Sequence, residues 1–115
     1  MKLNMVMLGV EDLEKSREFY RDVLGLPAKN RAGDFAFIDA GEMTLVLSRP
    51  LGRRIHPRAG AVQTIFGVPH VRAAFEETRA RGAQFLQEPN EVSPGAWAAT
   101  FRDPDGHLLT LYGPE

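Results

Sequence analysis

Cysteine is absent from this chain. That excludes disulfides, thiolate metal sites and a thiol nucleophile, and it suits a reducing compartment such as the cytoplasm. An excess of charge is missing too, since 14 basic against 15 acidic residues leave a net charge of −1. Neither nucleic acid nor an anionic membrane finds an electrostatic footprint in that balance. Nor does any apolar run approach the roughly 20 residues that a membrane-spanning helix needs. The opening MKLNMVMLGVEDLEKS turns charged after ten residues and carries no small-residue cleavage site, so it does not read as a secretory leader. The partner to expect is a small molecule held in a local site.

What is present is enough for one core. With 115 residues, 43% of them hydrophobic, the chain supports a single packed domain over residues 1–115 and is short for two ordinary ones. Its most informative stretch is FRDPDGHLLTLY, Phe101 to Tyr112. Pro104 presets φ for a turn, Asp103 and Asp105 offer oxygens to the local backbone, and Gly106 tolerates a positive φ. The turn leads into a strand with Leu109 and Leu111 on one face and Leu108, Thr110 and Tyr112 on the other. At the other end, Leu3 to Val10 alternates as a strand, with Val6, Leu8 and Val10 opposite Leu3, Met5, Met7 and Gly9. Asp12 caps a helix of about three turns whose apolar stripe is Leu13, Ser16, Tyr20, Val23 and Leu24; Gly25 and Pro27 end it.

Asp34–Ala40 and Met43–Ser48 read as a hairpin, with Phe35, Phe37 and Asp39 opposite Ala36 and Ile38. RPLGRRIHPRAG, from Arg49 to Gly60, has two prolines, two glycines and four arginines, and reads as a linker or basic loop. Beyond it come a strand at Ala61–Val68, a helix at Val71–Arg81 ended by Gly82, a short strand at Gln84–Glu88, and a strand at Ala96–Arg102 entering the turn. The order reads as βαβββ repeated: module one at about 1–50, the basic linker at about 49–60, module two at about 61–115. A shift of 58 positions lays Gly9-Val10 on Gly67-Val68, Leu13 on Val71 and Met5 on Gln63; identity that sparse fits an internal repeat and, on pattern alone, also two unrelated strand-to-helix units.

VEDLEKSREFYRDVLGL, from Val10 to Leu26, resembles the first-helix signature of the glyoxalase, bleomycin-resistance and extradiol-dioxygenase (vicinal oxygen chelate) superfamily. FRDPDGHLLTLYGP resembles that family's closing hairpin. The resemblance implies an α+β fold of two βαβββ modules whose curled mixed sheet surrounds an inter-strand pocket, commonly in a homodimer. In the family's metal enzymes it further implies four inward ligands, His or Glu with Gln in some members. Carried over by position, these fall on Met5, Val46, Gln63 and Thr110. A divalent cation gains little from a thioether, an amide and a hydroxyl, and nothing from valine. Metal-dependent lyase, ring-cleaving dioxygenase and thiol-transfer chemistry therefore lack their ligand set, and no cofactor is expected.

The remaining candidates read mostly as structural. His56, His70 and His107 lie off the inward strand faces, and Asp103 with Asp105 forms a turn before it forms an acid–base pair. Asp39 and Glu42 bracket the hairpin tip. Trp97 suits a ligand platform and a core position equally, Phe35 and Phe37 share that ambiguity, and Met5, Met7 and Met43 offer soft apolar surface. Arg49, Arg53, Arg54 and Arg58 form the densest positive charge and disfavour a cationic ligand. The sequence thus points to a metal-free protein that binds or sequesters an apolar to weakly anionic small molecule through Met5, Met7, Phe35, Phe37, Val46, Gln63, Trp97, Thr110 and Tyr112. The alternative is an enzyme of the same superfamily, metal-dependent or metal-free.

Overall fold

Alternating strands followed by a capped helix recur twice along the chain, and a computed structural model, which describes residues 1–55 and 62–115, shows what each copy builds. The contacts divide the chain into two compact units, Met1–Pro57 and Arg58–Glu115. In the first, β1 (Met5–Gly9), β2 (Ala28–Ala32), β3 (Phe35–Asp39) and β4 (Thr44–Ser48) form a four-stranded sheet in the order β1-β4-β3-β2. The β1–β4 pair is parallel and sets Met5 opposite Thr44, Met7 opposite Val46 and Gly9 opposite Ser48.

Helix α1 (Leu13–Glu18) makes the connection that a parallel pair requires. Asp12 starts it by accepting the Lys15 backbone N–H at 3.0 Å. Leu13, Ser16 and Tyr20 are buried, as are Leu8, Ala36, Ile38, Leu45 and Leu47 on the strands. Val23 and Leu24, expected on the same stripe, are only half-buried. The cause is a π-helical turn over Phe19–Val23, in which the Leu24 N–H reaches back five residues to the Phe19 carbonyl at 3.2 Å. A wider turn advances less per residue and swings the following side chains off the stripe. Gly25, at φ +72°, then ends the helix, and the Leu26 N–H donates to the Tyr20 carbonyl.

The second unit repeats the design. Strands β5 (Gln63–Gly67), β6 (Phe85–Ser93), β7 (Ala96–Arg102) and β8 (Leu108–Gly113) take the order β5-β8-β7-β6, with helix α3 (Val71–Ala80) after β5. The 58-residue shift aligns Met5 with Gln63 and Gly9 with Gly67, the ends of β1 and β5, and Leu13 with Val71, the first residues of their helices. Val71, Phe75 and Ala99 form the core, with Val68, Phe85 and Trp97 packed against it. The Phe85 ring lies 4.6 Å from that of Phe75 and 4.8 Å from that of Phe101. His70 precedes α3 but its side chain makes no capping bond. The carbonyls of Pro114 and Glu115 instead accept the N–H groups of Val71 and Arg72, at 2.8 and 2.9 Å.

Three elements differ from the sequence reading. β2, with its exposed residues Lys29–Ala32, has no hydrophobic alternation to announce it and exists because β3 offers an unpaired edge. β6 runs on to Ser93 and not to Glu88; Pro89 is tolerated within it because β6 lies at the sheet edge beside bulges. Residues 49–55, read as linker or loop, form helix α2 (Arg49–Ile55), whose first turn is capped by the Ser48 hydroxyl accepting the Leu51 N–H at 3.1 Å. His56, Arg58 and the expected strand start at Ala61 lie outside the described residues, as does the side chain of Arg54. Among the described residues, no helix is long and apolar enough to cross a membrane.

The backbone of α2 is pressed against the end of β1. A Cβ built on Gly52 would stand 2.3 Å from the Val10 carbonyl oxygen, whereas one on Gly67 would meet nothing within 4 Å. Gly52→Ala should therefore destabilise the protein by about 1 to 3 kcal/mol, as overpacking does. Gly67→Ala should stay within about 0.5 kcal/mol of the parent. Urea denaturation of both variants measures the contrast, and equal midpoints would show that α2 is not held against Val10.

Candidate functional site

Residues opposite one another in a sheet share a face, so the registers sort the candidate side chains. In the first unit, Met5, Met7, Phe35, Phe37 and Val46 fall on the face away from the buried row of Leu8, Leu45, Leu47, Ala36 and Ile38. Val46 sits between Met7 and Phe37 and is buried; Phe35 and Phe37 are half-buried, while Met5 and Met7 are 56% and 48% exposed. The face is apolar and soft at its centre. At one end Lys29 donates to the Thr44 hydroxyl at 3.0 Å, beside Asp39. Asp39 itself accepts the Gly41 N–H at the hairpin tip, a turn role.

In the second unit, Gln63, Thr110 and Tyr112 fall on the face away from Leu109, Leu111 and Phe101. This face is polar at its centre. The Gln63 amide donates to the Thr110 hydroxyl at 2.5 Å, and that hydroxyl lies 3.0 Å from the hydroxyl of Thr100. Thr110 is buried, Thr100 half-buried, and Gln63 and Tyr112 are exposed. Thr100 and Arg102 belong to the same face and were not among the sequence candidates.

Trp97 turns the other way. It alternates with Ala98, so it shares the side of Ala99 and Phe101, packs on Val71 and Phe75, and carries the Arg72 guanidinium 5.6 Å above its ring. Of the two roles open to it, the core position describes where it stands. The alternation of AWAATFR already contained this, since Trp97 and Phe101 are four apart and point alike.

The turn carboxylates are also accounted for. Asp103 is buried and its Oδ1 accepts the N–H groups of Asp105 and His107, at 3.0 and 2.8 Å. It holds the hairpin. Among the described residues, no three His, Asp or Glu side chains gather in a way that could hold a metal ion. At the four positions implied by the resemblance, Val46 has no donor, Met5 offers a thioether, and Gln63 and Thr110 are bonded to each other. That donor set does not fit a divalent cation. A carboxyl held below its ordinary range does occur at Asp22, because Arg21 hydrogen-bonds it, but this pair is on the exposed side of the π-helical turn.

A depression of about 680 Å³ lies elsewhere, at the start of α1, lined by residues that include Glu14, Arg31 and Arg49. Two of its cations have acidic neighbours, Arg31 pairing with Glu14 and Arg49 with Asp34 at 3.5 Å, although the buried Arg49 Nε makes no hydrogen bond. Ion pairing takes up part of what this groove could offer a ligand. The two sheet faces, with exposed thioethers on one and a partly engaged amide on the other, have more.

Comparison with known proteins agrees with this architecture. The chain is 32% identical over 113 residues to the glutathione transferase FosA of Serratia marcescens, covering 96% of this chain and 79% of that one. It is 31% identical over 117 residues to a probable lactoylglutathione lyase of Vibrio cholerae, covering 91% and 85%. The crystal structure of a glyoxalase/bleomycin resistance protein/dioxygenase from Nocardioides matches with a TM-score of 0.83 at 23% identity, over 99% of this chain and 83% of that one; at that identity it speaks for the fold alone. Residues 2–111 match the family model itself, and the chain belongs to the Glyoxalase/Bleomycin resistance protein/Dioxygenase superfamily.

Proposed function

We infer that this member of the superfamily binds or sequesters a small, apolar to weakly anionic molecule without a divalent metal. One observation carries the reading: the four positions that the resemblance marks for ligands hold Met5, Val46, Gln63 and Thr110, that is a thioether, a hydrocarbon, a neutral amide and a hydroxyl, with no imidazole or carboxylate among them. What remains suits a ligand held by burial and hydrogen bonds. Met5, Met7, Phe35 and Phe37, around buried Val46, offer apolar area on the first sheet, worth about 25 cal/mol per Å² covered. The second sheet, by itself, offers hydrogen bonds from Gln63, Thr110 and Tyr112 to a ligand on its own face. A chain without cysteine suits the cytoplasm.

The named relatives favour a second reading, an enzyme acting on a thiol conjugate or another small substrate, since one is a glutathione transferase and another a probable lactoylglutathione lyase. The two readings part on metal. Elemental analysis of the purified protein should find no stoichiometric divalent ion, and zinc or nickel should not raise its melting temperature. Near-unit occupancy would sink the metal-free reading and favour the enzyme. Gln63→His with Thr110→Glu places an imidazole and a carboxylate where two side chains already touch, so the double variant should gain zinc affinity. In a thermal-shift screen, a ligand at 100 times its Kd should stabilise the native protein by about 2.7 kcal/mol.

The protein is further proposed to be a homodimer. Among the described residues β1 and β5 lie at sheet edges, and an unpaired strand edge favours association with another chain. Light scattering should give twice the chain mass of 12.8 kDa, and a monomer at micromolar concentration would count against it.

A further inference from the structure

Arg102 ends one row of the second sheet's polar face: it lies opposite Leu108, which lies opposite Gln63. Two residues back along β7 is Thr100, in the next row with Thr110 and Ile65. Arg102 is exposed, and among the described residues no carboxylate pairs with it. Its situation differs from that of Arg31, Arg49, Arg72 and Arg79, each of which has an acidic partner. A guanidinium is a planar fork of donors that takes a carboxylate through two parallel bonds.

The neighbouring ladder retains hydrogen-bonding capacity. Gln63 gives one N–H to Thr110, which leaves its carbonyl oxygen and a second N–H; Thr100 and Thr110 share one proton, which leaves one hydroxyl proton over. Strands are about 4.8 Å apart and same-face residues about 7 Å apart along a strand. The fork, the hydroxyl and the amide therefore lie within the span of one small molecule. Ile65, 59% exposed, and half-buried Leu108 flank them with apolar surface.

We propose that this face binds an organic acid: its carboxylate on Arg102, a hydroxyl or oxo group one or two carbons away against Gln63 and Thr100, and its hydrocarbon body on Ile65 and Leu108. This rests on the reading of the sheet faces as the ligand surface and adds the residue that selects for charge. The preference for an anion thereby moves from the arginines after β4, of which Arg49 is engaged by Asp34, to Arg102.

The test uses calorimetric titration with phenyllactate, with its neutral amide phenyllactamide, and with the uncharged dye N-phenylnaphthylamine. The native protein should bind the acid about tenfold more tightly than the amide, as befits a charged hydrogen-bond pair. In Arg102→Gln the acid should fall to the level of the amide while the affinity for the amide is kept. Arg102→Lys, which has charge but no fork, should lie between. Equal affinity for acid and amide in the native protein, or a preference that survives in Arg102→Gln, would overturn the proposal. Binding of the dye with neither acid nor amide bound would overturn it too but leave the binding reading standing. If none of the three bound, both would fall.

Discussion

The architecture depends on laying the last strand of each module parallel beside its first. Parallel neighbours cannot be joined by a tight turn, so the chain must leave the sheet, cross it as a helix and return through two further strands before the pair closes. β1 with β4 and β5 with β8 are those pairs. The same backbone bond seals both: Val10 donates to the Ser48 carbonyl at 3.0 Å, and Val68 to the Tyr112 carbonyl at 2.9 Å. The close approach is unforgiving at each seal, where Gly52 faces Val10 and Gly113 faces Val68 with no room for a Cβ.

From that pairing the division of labour between faces follows. One side of each sheet takes the crossing helix and must be apolar; the other is left for whatever the module meets. The two copies have spent that freedom differently. The first has filled its second face with methionine, phenylalanine and valine, and the second has run an amide and two hydroxyls across its centre. Where Met7 opposes Val46, the equivalent row of the second sheet has Ile65 opposing Thr110. One plan thus carries a greasy face in the first module and a hydrogen-bonding face in the second.

Much of this was legible in residues. The Asp12 cap, the Asp103 turn, the apolar stripe begun by Leu13 and the offset between modules follow from local chemistry and came out where the sequence placed them. β2 was not legible, because AKNRA is ordered by the edge it joins and not by its own pattern. The bend of the α1 stripe after Phe19 was hidden as well, since a π-helical turn changes the period without changing composition. α2 was missed although its signal was present: Ser48 ahead of Arg49-Pro50 is a cap with proline in the first turn, outweighed by the glycines and arginines that followed. Trp97 was left open when the alternation through Phe101 could have assigned it to the core.

The capping of α3 by the carbonyls of Pro114 and Glu115 bears on how the second module comes into being. A helix capped by its own neighbours can form its first turn early and alone. Here two of the N–H groups that begin the helix wait for partners more than forty residues downstream, and the Arg72 guanidinium waits for the Glu115 side chain. The costly step of nucleation is thereby tied to the arrival of the final strand, so helix and sheet close together and neither is a stable stopping point on the way. On a ribosome, this module would stay unfinished until its last residues had emerged.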